Sequence, residues 1–312
     1  MNDVERTIIL VTGATGTVGS EVVKQLVSSS ISSPSPSGQS VIRATVHSQN
    51  KVDKFNQYGG GELVESVHMD YNKPETIAAS LDKVDRLFLL NLPSPNMADI
   101  SSKVISEAKK NGVRYIVKLS VFGADAEPGI LIGRLHRQEE KVIEESGIPY
   151  TFLRSSAFMQ NFVNYYGYNI KAQNAIYLPA GEGKVSFVDA RDVAAVASKI
   201  LLSEKNDNGI TQHENKAYVI TGPEALSYGQ VTEIISEEIG KKISYVDTEE
   251  EDARKVMESR SFEDWLIDAI LEEFYTTKLG NRSTTTNTVE QIIGQKPNSF
   301  AQFVREYANY FN

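Results

Sequence analysis

Cysteine is absent from all 312 residues, which excludes disulfides, thiolate catalysis and cysteine–metal sites together. Long apolar runs are missing as well. No stretch approaches the ~20 residues needed to span a bilayer, and the polar N-terminus runs straight into a strand with no signal-peptide pattern. The expected setting is therefore cytoplasmic, with the nucleus as an alternative, and no membrane. Basic charge is in short supply, with 32 Lys and Arg against 41 Asp and Glu for a net charge of −9. A general nucleic-acid surface needs clustered cations to neutralise phosphates, so direct nucleic-acid binding is not expected. Length is ample: 312 residues carry a large α/β domain and a smaller appendage without staples.

What is present begins at residue 8. Ile8, Ile9, Leu10 and Val11 have the composition of a strand buried on both faces of a parallel sheet. Glycines follow at 13, 16 and 19. Gly13 lets the chain turn off the strand, Gly16 removes a side chain where a pyrophosphate approaches, and Gly19 lets the next helix pack on the sheet. That helix carries an apolar stripe of Val18, Val22, Val23, Leu26 and Val27. Its first turn directs free N–H groups and a positive dipole end at the phosphates. A glycine motif between a strand and a helix predicts a dinucleotide site, where a glycine loop alone indicates only a tight turn.

Alternating strands and helices continue through the first half of the chain. Strands are predicted over Val41–Val46, Leu63–Val67, Arg86–Leu90, Val113–Leu119 and from Tyr150 to Leu153. Helices are predicted at Lys51–Gln57, from Pro74 to Leu81 with Pro in the first turn, over Met97–Lys110 closed by Asn111-Gly112, and over Gly133–Ser146 stopped by Gly147. This rhythm implies a parallel sheet with right-handed crossovers. The expected fold is a Rossmann-type doubly wound α/β sheet over residues 1–154. Residues 155–312 are expected to form mostly a smaller mixed α/β lobe, with some segments returning to the core. That lobe includes the pieces Val219–Thr221 and Ile243–Val246 and helical stretches at Phe262–Tyr275 and Phe300–Tyr310.

Two stretches are compositionally odd. Ser28–Ser40 is a Ser/Pro-rich insertion where a short turn would suffice; it reads as a surface loop, or as a phosphorylation site at Ser33 or Ser35, each followed by Pro. Glu249–Asp252 is an acidic run that reads as a solvated helix start.

Cofactor choice turns on another absence. An NAD site places an acid at the end of the second strand to hold the ribose hydroxyls. Here the sequence Arg43-Ala-Thr-Val-His47-Ser48-Gln-Asn-Lys51 has no acid before Asp53. His47, Ser48 and Lys51 instead suit a 2′-phosphate, by hydrogen bonds and charge. NADP is the expected cofactor over NAD, and no metal is expected.

The chain resembles the NmrA-type branch of atypical short-chain dehydrogenases over nearly its whole length. The resemblance rests on Thr12-Gly-Ala-Thr-Gly-Thr-Val-Gly19, Ile42–His47, Val67-His-Met-Asp70 and Ser146-Gly-Ile-Pro-Tyr-Thr-Phe-Leu-Arg154. It rests also on Phe158-Met-Gln-Asn161, Lys184–Asp192 and Ile293–Phe300. It implies that Gly13, Thr15, Gly16, Thr17 and Val18 hold the pyrophosphate and that Asp70 reaches the adenine, where the bare residue reads as a turn-forming carboxylate. It further implies that Asn91 and Leu92 lie along the nicotinamide ribose. Lys118, Ser155, Ser156 and Phe158 would line the nicotinamide end, with Asn161 in the substrate cleft beyond.

One departure from the enzyme pattern bears on activity. Fully active members of the wider family use a Tyr-x-x-x-Lys pair as general acid and ribose anchor. Aligning Glu140 with the glutamate after that pair puts Ile132 at the tyrosine and His136 at the lysine. Isoleucine donates no proton, and Ser120, at the usual serine, loses its relay partner. His136 is then a candidate catalytic residue as in some quinone and dye reductases of the family, or a helix-surface or ribose-contacting residue. Two functions follow from the resemblance. The first is an NADP(H)-binding redox regulator acting in transcription or differentiation through a protein partner such as a transcription regulator. The alternative is an NADPH-dependent reductase of quinone-like acceptors, to which Phe158, Phe162, Tyr165, Tyr166 and Tyr168 would offer a stacking surface.

Overall fold

The apolar tetrapeptide at the start becomes β1 (Ile8–Val11), with Ile9 to Val11 fully buried, and the glycine turn feeds α1 (Thr17–Ser32). The computed structural model describes residues 6–32, 40–48, 55, 63–204 and 211–312. Ser33, Ser35, Lys51 and the helix expected around Lys51 therefore lie outside the described residues, Phe55 excepted. Five more strands follow as the alternation predicts: β2 (Val41–Val46), β3 (Val64–His68), β4 (Arg86–Leu89), β5 (Tyr115–Val121) and β6 (Tyr150–Ser155). Between them run α2 (Pro74–Leu81), α3 (Met97–Lys110) and α4 (Leu131–Ser146).

Helix ends obey local chemistry. Pro74 opens α2, where its missing N–H costs nothing. Gly112 and Gly147 take left-handed φ values of +77° and +76° after α3 and α4, the conformation that ends a helix by satisfying its last carbonyls. The turn after α3 includes Val113 N–H bonded to the Ala108 carbonyl, so β5 begins two residues later than the apolar run suggests.

The main sheet has seven strands in the order β3-β2-β1-β4-β5-β6-β9, with β9 at Lys216–Ile220. Pairings β1–β2, β1–β4, β2–β3 and β4–β5 are all parallel. The seventh strand takes in Val219 and Ile220, part of the piece expected at Val219–Thr221. The bonds Asn215 N to Tyr150 O and Ser156 N to Ile220 O advance together along both segments, as in parallel neighbours. The α/β rhythm thus continues past residue 155 through α7 (Ala190–Leu201). Its strand was hard to see because Lys216, Ala217 and Tyr218 are not buried, so it lacks the continuous apolar run of its neighbours.

Two compact units emerge. One comprises Met1–Ala124, Arg134–Arg154 and Val193–Tyr218; the other comprises Asp125–Gly133, Ser155–Asp192 and Val219–Asn312. The first has a core of Leu10, Leu81, Leu87, Leu89, Val104, Ile116, Ile143 and Phe152.

The second unit is built from short elements. These are α5 (Asn161–Asn164), α6 (Gly167–Gln173), β7 (Ala175–Leu178), β8 (Lys184–Val185), β10 (Leu226–Ser227) and α8 (Tyr228–Ile239). They continue with β11 (Ser244–Asp247), α9 (Glu250–Ser259), α10 (Asp264–Lys278), α11 (Thr288–Ile293) and α12 (Phe300–Glu306). β11 pairs parallel with β7, and β10 antiparallel with β8. Ser227 and Gln230 form a reciprocal capping box at α8, which satisfies two donors otherwise left open. The acidic run starts α9, none of whose residues is fully buried. Among the described residues no helix is long and apolar enough to cross a membrane.

Candidate functional site

The turn from β1 to α1 is stitched to the end of β4. Thr12 Oγ1 accepts the Leu90 N–H at 2.7 Å, and Thr12 N–H donates to the Phe88 carbonyl at 3.0 Å. β1 and β4 are where the strand order reverses, the crevice at which open α/β sheets bind ligands. Gly13 has φ +61°, and a Cβ there would stand 2.7 Å from Leu90 Cδ2. A Cβ at Gly19 would lie 2.1 Å from the Gly13 carbonyl oxygen. Gly16 differs: only the Gly13 oxygen lies near its missing Cβ, at 3.4 Å.

Thr15, Gly16 and Thr17 are exposed, Val18 is buried in the first turn of α1, and that turn carries no acid. An exposed, carboxylate-free helix start with open space over Gly16 fits a dinucleotide pyrophosphate.

The neighbouring strand ends hold the other residues expected to meet the cofactor. His47 is exposed after β2, its carbonyl oxygen 3.0 Å from His68 Nε2, and Ser48 is half-buried. Asp70 Oδ1 accepts the Asn72 N–H at 3.0 Å, and Oδ2 lies 3.9 Å from Lys73 Nζ. The Asp70 carboxylate therefore builds the turn after β3, as its turn-forming reading has it. Leu92, two residues beyond Leu90, is 82% exposed.

Beyond β4 lies a buried polar network. Lys118 on β5 and Glu139 on α4 are both fully buried, with Nζ 2.5 Å from Oε2. Lys118 also donates to the Leu119 carbonyl at 2.7 Å and sits 3.3 Å from His136 Nδ1. Asn91 Nδ2 donates to Glu139 Oε1 and Ser101 Oγ, each at 2.8 Å, while Ser101 Oγ donates to the same Glu139 oxygen. Tyr71 Oη donates to Asn91 Oδ1 at 2.8 Å; burial pushes its phenol up to about 12. Burial, reinforced by the Lys118 ammonium, holds the His136 imidazole well below its ordinary 6.5, so the ring is neutral at pH 7. His136 is buried, not a helix-surface residue.

A second anchor lies beside it. Glu140 takes the Ser120 hydroxyl at 2.7 Å and both Arg154 Nε and Nη2, at 3.0 and 2.8 Å. Arg137 adds a contact to Glu140 at 3.1 Å and reaches Glu144 at 2.8 Å. These bonds tie α4 to β5 and β6, and Ser120 spends its hydrogen bond there. Ile132, half-buried, lies four residues before His136 on α4.

Tyr71, Ser101 and Glu139 escaped sequence reasoning. The signal was Lys118 itself, set among Ile116, Val117 and Leu119: an ammonium buried in a strand requires a carboxylate partner. Glu139, three residues after His136 on one helix face, was the candidate to fill it.

Ser155, Ser156, Phe158 and Asn161 belong to the second unit. Ser155 and Ser156 are buried; Ser156 N–H donates to Ile220 O at 2.9 Å, and its hydroxyl accepts from Ser186 at 3.2 Å. Half-buried Phe158 bridges to Val188, and Asn161, also half-buried, opens α5. The aromatic run does not form one stacking surface. Phe162 is fully buried and packs edge-on against Tyr166, Phe187 and Phe300 at 5.5, 5.0 and 5.0 Å, while Tyr165 and Tyr168 are 65% and 76% exposed. Consecutive helical turns separate inward from outward rings.

Comparison with known proteins agrees with this architecture. The model of the NmrA-like family matches residues 5–310. An NAD(P)H azoreductase of Xenophilus azovorans is 32% identical over 97% of this chain and 99% of its own length. The Prestalk A differentiation protein A of Dictyostelium discoideum is 30% identical over 96% of this chain and 91% of its own. The solved structure of an Escherichia coli NADPH-dependent quinone oxidoreductase complexed with NADPH superposes with a TM-score of 0.82. It is 25% identical and covers 97% of this chain and 100% of that one.

Proposed function

Because the chain belongs to the NmrA-like family, we propose that it is an NADP(H)-binding reductase of flat, conjugated acceptors of the quinone or azo type. The observation that carries this reading is the pairing of an open phosphate loop with a buried network that ends in a neutral imidazole. Gly13, Thr15, Gly16, Thr17 and Val18 receive the pyrophosphate, and His47 and Ser48, joined by Lys51 from the sequence, read the 2′-phosphate. Bound NADPH supplies a hydride. Asn91, held by Tyr71, Ser101 and Glu139, keeps the strand end beside the ribose in one conformation.

No tyrosine stands at 132, so an acceptor whose reduced form needs strong general-acid help is excluded. A quinone suits such a site because aromaticity stabilises its reduced anion. The azoreductase and quinone oxidoreductase relatives support the substrate class. The test is NADPH oxidation followed with a panel of quinones and azo dyes. Turnover above about 1 s⁻¹, within the ordinary enzyme range, is expected, and its absence across the panel overturns the reading.

The Prestalk A relative supports a second reading, a regulatory redox sensor acting in transcription or differentiation through a protein partner. A sensor must bind NADP⁺ and NADPH with different affinity, since a ligand shifts a conformational equilibrium only through differential binding. Melting temperatures measured against both forms separate the two readings.

A further inference from the structure

A lysine ammonium has three donors and no acceptor. Lys118 donates to the Leu119 carbonyl at 2.7 Å and faces His136 Nδ1 at 3.3 Å, while the Glu139 carboxylate pairs with its charge, Oε2 lying 2.5 Å away. Nδ1 must then present a lone pair, because a proton on it would face the ammonium. The ring is neutral, so its one proton sits on Nε2. His136 Nε2 has no hydrogen-bond partner among the described residues, and the side chain keeps about a tenth of its surface open. The other charged group near the ring is Glu139, whose Oε2 lies 3.9 Å from Nδ1 and is already paired with Lys118.

We infer that Lys118 is a positioning residue that locks His136 as its neutral Nε2–H tautomer, so that the imidazole offers one fixed N–H to an electron-rich oxygen or nitrogen. Glu139 holds the ammonium, and Asn91 and Ser101 hold Glu139. The fixed N–H is preorganised and needs no rotation to act, which is what makes such donors effective towards a developing anion. The tautomer lock itself does not depend on the reductase reading; only the identity of the recipient, a quinone oxygen or azo nitrogen as it gains negative charge, rests on that reading.

Nitrogen-15 spectroscopy of histidine-labelled protein at pH 7 tests the lock directly, with the His136 resonances assigned by their loss in His136→Gln. Nε2 is expected to be protonated and Nδ1 bare; a protonated Nδ1 overturns the inference. Lys118→Met alone would leave Glu139 buried without a counter-charge, so the companion variant is Lys118→Met with Glu139→Leu, which removes both charges. There the ring is expected to populate both tautomers, and an unchanged single tautomer would mean that Lys118 is not the lock. With a quinone that the wild-type protein turns over, the double variant is expected to lose kcat, measured at saturating NADPH, by about 10²-fold. An unaltered kcat overturns the catalytic use of the donor. Should the wild type turn over no acceptor, the reductase reading falls alone, and the spectroscopic result still decides the lock.

Discussion

A β-carbon on Gly19 would stand 2.1 Å from the carbonyl oxygen of Gly13, so turn and helix close directly on one another. Gly16, between them, has no such neighbour nearer than 3.4 Å. The two glycines therefore serve different ends, one the fold and one the space above it.

Substitution separates these roles. Gly19→Ala is expected to lower stability by about 1–3 kcal/mol, because backbone must move to admit the methyl group. Gly16→Val is expected to melt close to the wild type yet to lose NADP(H) binding, since its branched side chain occupies the pyrophosphate position. Thermal unfolding and calorimetric titration of the two variants check both statements; wild-type affinity in a folded Gly16→Val protein would remove the loop from the cofactor site.

Cofactor preference should follow from the end of β2, where no acid precedes Asp53. NADP(H) is expected to bind about ten-fold or more tightly than NAD(H), the value of a charge-assisted contact to a 2′-phosphate. His47→Ala and Ser48→Ala should each narrow that ratio without touching NAD(H) affinity. Titration with both dinucleotides measures it, and equal affinities in the wild type would mean these residues do not read the phosphate.

Asp192 supplies a pH dependence. It is buried at the start of α7 and accepts the Asn298 N–H and side-chain amide at 2.8 and 2.9 Å. Burial outweighs those bonds and raises its carboxyl from 3.8 to about 6. The folded protein thus holds this proton more tightly than the unfolded chain. Its contribution, roughly 2–3 kcal/mol, is complete below about pH 4 and is lost as pH rises through 6. Asp192→Asn should flatten the pH dependence of stability between 4 and 6 relative to the wild type. Denaturant unfolding across that range is the measurement, and an identical profile in the variant would rule out Asp192 as the titrating group.

The aromatic residues near 160 are expected to split in the same way. Phe162→Ala should cost about 3–5 kcal/mol, as truncation of a fully buried ring does. Tyr168→Ala, at an exposed position, should stay within about 0.5 kcal/mol of wild type. Paired denaturation curves decide this, and a comparable loss in both would contradict the packing described for the second unit.

The sequence alone determined what depends on neighbouring residues. The β1–glycine–α1 unit, the Pro74 helix start and the glycine stops after α3 and α4 are local chemistry, written in a few consecutive positions. So is the doubly wound rhythm, because parallel strands buried on both faces must be apolar throughout. The missing tyrosine at 132 needed only an alignment. Tertiary structure decided what depends on elements meeting. Lys118 and Glu139 are 21 positions apart, and their 2.5 Å pair exists only because α4 packs over β5 in one register. The seventh strand is recognisable from its neighbour, since its own residues are not an apolar run. Asp192 and Asn298 meet across 106 positions, and Phe162 is buried while Tyr165 is exposed because the second unit closes over one side of a short helix. Local propensity is carried by the chain itself, whereas burial and ion pairing are properties of the packed whole.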